Sequence, residues 1–185
     1  SGLASAIALV NPNPTNATVS LRLYDANGRQ QGQTSFTLPA QGHRAQFLDR
    51  AVAGSESPAE GGHFEFASDM GLAGLEVITG LSGYTLAPLA GGSGGPFVFP
   101  RVVNGAAAST TLLLENTSDY AVTANWRAWD SQGRAVNGTD AKPVTVAIPA
   151  HGTVAATAAK IFGLSATADF QGTAQADLVP TAGNA

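Results

Sequence analysis

The sequence predicts an all-β protein built from two tandem antiparallel β-sandwich modules, each with a short helical turn. Three observations lead to this fold class. Apolar and polar residues alternate along short segments, which is typical of strands with one face on a core. Gly, Pro, Asn and Asp separate these segments at short intervals, as in sandwiches and barrels. One long pattern also occurs twice, which indicates two copies of one unit.

The duplication is clearest in Leu9–Arg29 and Leu114–Arg134, which align without a gap. Seven positions are identical, and an aromatic residue replaces an aromatic residue where Tyr24 falls on Trp129. In the first copy the identical positions are Leu9, Asn11, Thr18, Arg22, Asp25, Gly28 and Arg29. After a short insertion, the corner "LPAQG" of the first copy matches "IPAHG" of the second, and the similarity continues through residues 44–54 and 153–163.

The repeat sets the predicted domain boundaries. Module 1 occupies residues 1–90 and module 2 residues 97–185, and "GGSGGP" at residues 91–96 has the composition of a flexible linker. Module 2 is shortened at its C-terminal end, because it has no counterpart of Glu76–Pro88, roughly the last two strands. Either the copy is naturally short or its sheet has an open edge. Open edges template further strands, and donated strands join chains into extracellular assemblies.

Strand positions follow from the alternation. Val19, Leu21 and Leu23 point to one face of a strand whose other face is largely polar, and this strand has its counterpart at Val122–Trp129. The other predicted strands are Ala6–Val10, Gln33–Leu38, His63–Ala67, Leu75–Thr79, Tyr84–Leu89, Phe97–Val103, Thr110–Glu115, Val144–Ile148 and Gln171–Leu178. Apolar residues take helical spacing over 45–52 and 154–162, each stretch ending near a Gly that can cap a helix.

Composition excludes several function classes. The net charge of −4 and a pI near 5.2 argue against nucleic acid, which requires clustered Lys and Arg. The absence of Cys excludes disulfides and thiolate metal sites, and no apolar run is long enough to span a bilayer. Only 12% of residues are charged, so the surface can pack against neighbours at little desolvation cost. The N-terminal residues lack a basic signal-peptide region, so an exported chain would be a mature form or an excerpt.

The segment Asp25-Ala26-Asn27-Gly28 could supply two oxygen ligands to Ca²⁺. Its counterpart in the second copy is "DSQG", which keeps the Asp and Gly of a turn but replaces the small Asn with a longer Gln. No third acidic residue lies nearby in sequence. A hairpin turn, in which Asp bonds the backbone and Gly takes a positive φ, is therefore the preferred interpretation.

The aromatic residues are the best candidates for an interaction surface, which we place at Tyr24, Arg22, Trp129, Arg127 and Tyr120. Alternation puts Tyr24 and Trp129 on the outer face of equivalent strands, each two residues from an Arg. Trp126, three positions before Trp129, faces the opposite side and is predicted to lie in the core. An Arg–aromatic contact or a contact between modules is favoured over a sugar-binding platform.

No catalytic, cofactor or metal site is predicted. His43, His63 and His151 lie at corners or a strand start, and nothing in the pattern makes them converge. The "GGSGG" run is not a nucleotide loop, because neither Lys-Ser/Thr nor a helix follows it. There is no Gly-x-Ser-x-Gly elbow and no acidic pair in a credible cleft. We therefore expect a protein that is not an enzyme.

With these motifs in hand, the chain resembles a family of β-sandwich modules that occur in tandem in bacterial secreted and surface proteins. The resemblance is carried by "IALVNPNPTNATVSLRLYDANGR", "TLPAQGHRAQFLD", "GHFEFASD" and "GYTLAPL", and by "FVFPRVVNGAAASTTLLLENTSD" as the start of a following module. It implies an extracellular, immunoglobulin-like scaffold of uncharacterised role, and it carries over no catalytic residues.

The preferred hypothesis is a non-enzymatic extracellular structural protein on the bacterial cell surface. It would act as a spacer or as the subunit of a polymer or filament that assembles through self-association at an open sheet edge or through neighbouring modules. The alternative hypothesis is an adhesin module that binds a glycan or a host surface. That alternative requires an exposed, coplanar pair of aromatic side chains.

Overall fold

The computed structural model describes residues 4–48, 52, 62–80, 83–88 and 96–181. The chain divides into two compact units, one of residues 1–25 and 29–92 and the other of residues 26–28 and 93–185. Of the predicted linker at 91–96, residues 91–95 lie outside the described part of the chain. Both units are all-β with antiparallel sheets, as the alternation predicts.

The described residues of the first unit form seven strands in two sheets. They are β1 (Ala4–Val10), β2 (Ala17–Tyr24), β3 (Gln30–Leu38), β4 (His43–Phe47), β5 (His63–Ser68), β6 (Ala73–Gly80) and β7 (Gly83–Pro88). The sheet orders are β4-β1-β6-β7 and β3-β2-β5. One buried cluster includes Ile7 and Leu9 of the first sheet and Val19 and Leu21 of the second, so the two sheets share a core.

In the second unit, the part of the chain that the structure describes forms six strands and one α-helix. They are β8 (Phe97–Asn104), β9 (Thr111–Glu115), β10 (Val122–Asp130), β11 (Val144–Ile148), β12 (Thr153–Thr157), α1 (Ala158–Phe162) and β13 (Phe170–Pro180), with a 3-10 turn at Val136–Gly138. The sheet orders are β11-β10-β13-β8 and β12-β9. The core cluster takes residues from both sheets and from α1.

The central strands β2 and β10 confirm the predicted alternation. Val19, Leu21 and Leu23 are buried on β2, and Trp126 is fully buried at the position of Leu21. The larger Trp126 is accommodated because its neighbour across the ladder is Ala176, whereas Leu21 has Phe66 as its neighbour. The aromatic side chain of this pair therefore comes from β10 in the second unit and from β5 in the first unit.

In each module, the first residues of the segment with helical spacing form a strand and not a helix. Residues 43–47 form β4 and 153–157 form β12, so the helical stretches predicted from 45 and 154 are wrong over their first residues. Pairing with β1 and β9 stabilises the extended backbone there. In the second unit the helix begins only at Ala158, after Thr157 caps Lys160 N–H, and Gly163 ends it in the left-handed conformation. In the first unit most of the predicted turn, 49–51 and 53–54, lies outside the described residues.

A buried Asn holds the same corner of each unit. The Asn11 side-chain N–H₂ group donates to the carbonyls of Thr15, Leu38 and Pro39 at 2.8, 3.2 and 3.0 Å. In the second unit, Asn116 donates to the carbonyls of Tyr120, Ile148 and Pro149 at 2.8, 3.4 and 2.7 Å. Both side-chain oxygens accept the backbone N–H two residues further on. These amides satisfy carbonyls at the ends of strands that no ladder reaches.

The Asp-x-x-Gly segments form turns. Asp25 N–H donates to the Arg29 carbonyl, and Arg29 N–H donates to the Asp25 carboxylate, both at 3.0 Å. The second unit repeats these bonds between Asp130 and Arg134. Gly28 and Gly133 have φ values of 80° and 77°, in the left-handed region that favours Gly. The repeated bonds and dihedral angles explain why Asp and Gly recur while the two residues between them vary.

Candidate interaction surfaces

Tyr24 lies on the strand face that alternation predicts, but it is buried there rather than exposed. Its side chain is only 4% exposed, and its ring stacks on His63 with centroids 5.3 Å apart. The β2–β5 register runs without a shift through Leu23 and Tyr24, so Tyr24 and its ladder partner His63 lie on the face opposite Leu23 and Phe64. Because it is buried, Tyr24 is not available as half of an exposed aromatic platform.

The other predicted surface residues have different environments. Trp129 is half-buried and Tyr120 is 42% exposed. Arg127 forms an ion pair with Asp177 across the β10–β13 ladder, with 2.6 Å between Nη1 and Oδ2, whereas Arg22 is exposed on β2. Arg127 is thus held by an ion pair to the neighbouring strand β13.

The histidines have separate structural environments. His63 is buried against Tyr24 with its Nε2 3.5 Å from Glu65, His151 contacts Asp119 at 2.8 Å, and His43 is exposed on β4. Within the described ranges, no group of three or more His, Asp or Glu side chains could hold a metal ion. No helix among the described residues is long and apolar enough to cross a membrane.

The Asp130 carboxylate has a clearly lowered pKa. The Arg134 backbone N–H that donates to it lowers its pKa, assisted by the Arg134 guanidinium at 2.7 Å and the Gln132 N–H at 2.9 Å, against a smaller opposing effect of burial. We expect an NMR titration to give a pKa below 3.8. The resulting stabilisation is fully present above 3.8 and is lost as the pH falls through the folded-state value.

Arg134→Ala serves as the control for this titration. It removes the guanidinium but keeps the backbone bond, so the Asp130 pKa should rise only part of the way to 3.8. A wild-type value at or above 3.8 would contradict the hydrogen-bonded turn.

The two units differ in which strands extend their sheets. By sequence alignment and ladder register, β1 corresponds to β9, β2 to β10 and β5 to β13. In the first unit β6 pairs with β1, and β7 pairs with β6. In the second unit the described residues contain no counterpart of β6 or β7, and β9 pairs only with β12. Conversely, β8 pairs with β13, and no described strand of the first unit takes that position beside β5.

In the first unit, aromatic side chains of β5 itself fill the part of the core that β8 fills in the second unit. In the second unit, Phe97 and Phe99 of β8 lie opposite Ala176 and Ala174 of β13, and the Phe99 ring is 5.5 Å from Trp126. In the first unit the residues equivalent to the two alanines are Phe66 and Phe64, which pack on that core from β5 itself. Aromatic volume that β8 supplies in one unit is thus supplied by β5 in the other.

The β9–β12 ladder has a defined hydrogen-bonding pattern. Asn116 N–H donates to the Gly152 carbonyl and Ala158 N–H to the Thr110 carbonyl, both at 2.9 Å, at the two ends of the ladder. Residues that bond a neighbouring antiparallel strand recur at every second position. The even-numbered residues from 110 to 116 therefore direct their N–H and C=O groups towards β12.

Comparison with known proteins adds little. No protein-family model matches the chain, and no curated protein matches it. Solved structures of the exo-chitosanase CsxA of Amycolatopsis orientalis, alone and in complex with PNP-β-D-glucosamine, are similar over 95% of the chain at 12% sequence identity, with TM-scores of 0.24 and 0.23. The chain spans only 25% of the length of that protein. At this TM-score the similarity supports no conclusion about what the chain does.

Proposed function

We propose that the chain is a non-enzymatic structural protein of the bacterial extracellular surface. Its two immunoglobulin-like units form a spacer that associates with further copies by strand addition. The observation that carries the assembly part is that both units are open sandwiches, in which the outer strands β3, β4, β11 and β12 pair with a described strand on one side only. The low charged fraction of 12% supports it, since little charge is desolvated when such surfaces meet.

Sedimentation velocity of the purified chain tests the assembly part. We expect the mean mass to rise above that of an 18.6 kDa monomer as the concentration increases from roughly 10 μM to 1 mM, the range in which small interfaces associate. A chain that stays monomeric at the highest concentration would remove self-association from the proposal and leave the spacer. Cell fractionation of the native host tests the location, and recovery in the cytoplasm alone would contradict it.

The adhesin alternative has less support, because the burial of Tyr24 removes one member of the aromatic pair on which it depended. The exposed Tyr120 alone does not form a platform. We expect a glycan array to give no binding, and a reproducible hit that Tyr120→Ala abolishes would favour the adhesin.

A further inference from the structure

Three Asn residues of the chain are each followed by Gly, at positions 27, 104 and 137. In an Asn-Gly dipeptide the next backbone nitrogen can attack the side-chain amide readily, because Gly has no Cβ to obstruct the approach. We propose that Asn137 is a site of spontaneous deamidation and that its conversion releases the end of α1. This modification goes beyond the proposed function and does not depend on it.

The reaction requires only the chain and water. The Gly138 backbone nitrogen attacks Cγ of Asn137 and forms a C–N bond, while the bond between Cγ and Nδ2 breaks. The amide nitrogen leaves as ammonia with the proton of the Gly138 N–H, and a five-membered succinimide ring remains. Water then adds to one of the two ring carbonyls, so the ring opens to Asp or to isoaspartate at position 137.

Asn137 is accessible, and the backbone around it has room to rearrange. The residue is exposed, and its φ of 48° departs from the regular geometry of the 3-10 turn. A Cβ built on Gly138 would meet no atom within 4 Å, so the reacting peptide group is not enclosed. The Asn137 side-chain N–H₂ group donates to the Phe162 carbonyl at 2.8 Å. A single bond near the surface is open in roughly a tenth of the molecules at any moment, so it slows the reaction without stopping it.

Asn104 shows how the fold protects the same dipeptide. It is only 4% exposed, and its side-chain N–H₂ group donates to the carbonyls of Ser165 and Ala168 at 2.9 and 2.7 Å. Both bonds and the surrounding packing must open together before the Gly105 nitrogen can attack, so the reaction requires local unfolding. Asn104 is therefore an internal control with the same chemistry in the opposite environment.

The third Asn-Gly dipeptide lies in the turn between β2 and β3, where Asn27 is exposed. Modification of Asn27 would alter that turn and would leave the contact between Asn137 and α1 unchanged. Asn27→Gln removes this reaction from the background, because a Gln side chain would have to form a six-membered ring, which is much slower. The substitution suits the turn, since the equivalent residue of the second unit is Gln132.

The side chain of Asn137 joins the 3-10 turn to the end of α1. Phe162 is the last residue of α1, where backbone carbonyls have no donor within the helix, and Asn137 supplies one. A carboxylate at position 137 cannot donate, and it would place a negatively charged oxygen beside the Phe162 carbonyl oxygen. On its other side the turn is held to β10, because the buried Thr139 hydroxyl bonds the Ala128 N–H and C=O at 3.0 and 3.1 Å. Deamidation therefore detaches the turn from α1 but not from β10.

Peptide mapping by mass spectrometry is the first test, after incubation of the full chain carrying Asn27→Gln at mildly alkaline pH. We expect Asn137 to convert at least ~10-fold faster than Asn104, because Asn104 must break one more hydrogen bond and leave the interior. In denaturant the two rates should become similar. A folded chain in which Asn137 reacts no faster than Asn104 would overturn the proposal. A difference that persists in denaturant would overturn its structural basis.

Hydrogen exchange of Asn137→Asp tests the effect on α1. The Leu164 N–H donates to the Ala159 carbonyl at 2.9 Å, so its exchange rate reports on the end of the helix. We expect this amide to exchange at least ~5-fold faster in Asn137→Asp than in wild type, which corresponds to the loss of one hydrogen bond. Asn27→Asp is the matched control, because it makes the same chemical change in the β2–β3 turn and should leave the Leu164 amide unchanged.

The naturally deamidated chain gives the same readout without a substitution at position 137. After incubation of the Asn27→Gln chain, the deamidated fraction can be separated by its additional negative charge, and its Leu164 amide should also exchange faster. Unchanged exchange at Leu164 in Asn137→Asp, or an equal increase in Asn27→Asp, would overturn the link between Asn137 and α1.

Discussion

Replacing Trp126 with alanine is expected to lower the free energy of unfolding of the second unit by about 3–5 kcal/mol. Trp126 is fully buried, and Phe99 packs against it with ring centroids 5.5 Å apart. Its cross-ladder neighbour is Ala176, which is too small to fill the space that the indole would leave. The cavity should therefore persist, and nearly the whole cost of the lost burial should appear as a lower free energy of unfolding.

The matched variant is Trp126→Phe. The indole Nε1 has no hydrogen-bond partner among the described residues, so the substitution removes an unpaired buried donor while keeping an aromatic ring. We expect it to cost less than half as much as alanine. Denaturant unfolding followed by circular dichroism measures both, and a Trp126→Ala cost below about 1 kcal/mol would contradict the packing described here.

Replacing Asn116 with alanine is expected to cost about 2–4 kcal/mol, because the carbonyls of Tyr120, Ile148 and Pro149 would lose their donor. Asn11→Ala should have a similar effect in the first unit, since Asn11 bonds the equivalent carbonyls. Thr117→Ala is the control for Asn116, because Thr117 is the exposed neighbour in the same corner and its substitution should cost little.

Asn116→Asp separates the loss of hydrogen bonds from the loss of volume. A carboxylate at this buried position would face three carbonyl oxygens, so its pKa should be raised in the folded state. The stability of the variant should then be greatest at low pH and should decrease as the pH rises through that value. A variant whose stability relative to wild type does not depend on pH would show that the carboxylate has reached solvent and that the corner is not closed.

The sequence predicts most strands because their signals are local. Alternation in 17–24 and 122–130 is strong enough to locate both central strands and to place Trp126 in the core. The strands β4 and β12 were missed because a five-residue segment is short enough to fit both the two-residue period of a strand and the 3.6-residue period of a helix. Their extended form is decided by pairing with β1 and β9, which lie far away in sequence.

The candidate surface was predicted less well than the fold. Tyr24 lies on the face that alternation predicts, but tertiary packing buries it there against His63. The role of Asn11 and Asn116 was visible only as an identical position in the repeat. An identical position indicates that both copies need the same residue there. It does not show that one side-chain amide donates hydrogen bonds to three carbonyls from two separate segments.

By itself, the sequence determined the fold class, the presence of two copies of one unit and the Asp-x-x-Gly turns, because each depends on residues close together in the chain. Only the tertiary structure decided which strand lies beside which. In one unit β6 extends the sheet at β1, and in the other β8 extends the opposite sheet at β13. Strand partners are chosen by fit between distant side chains, as in the exchange of Phe64 and Phe66 for Phe99 and Phe97.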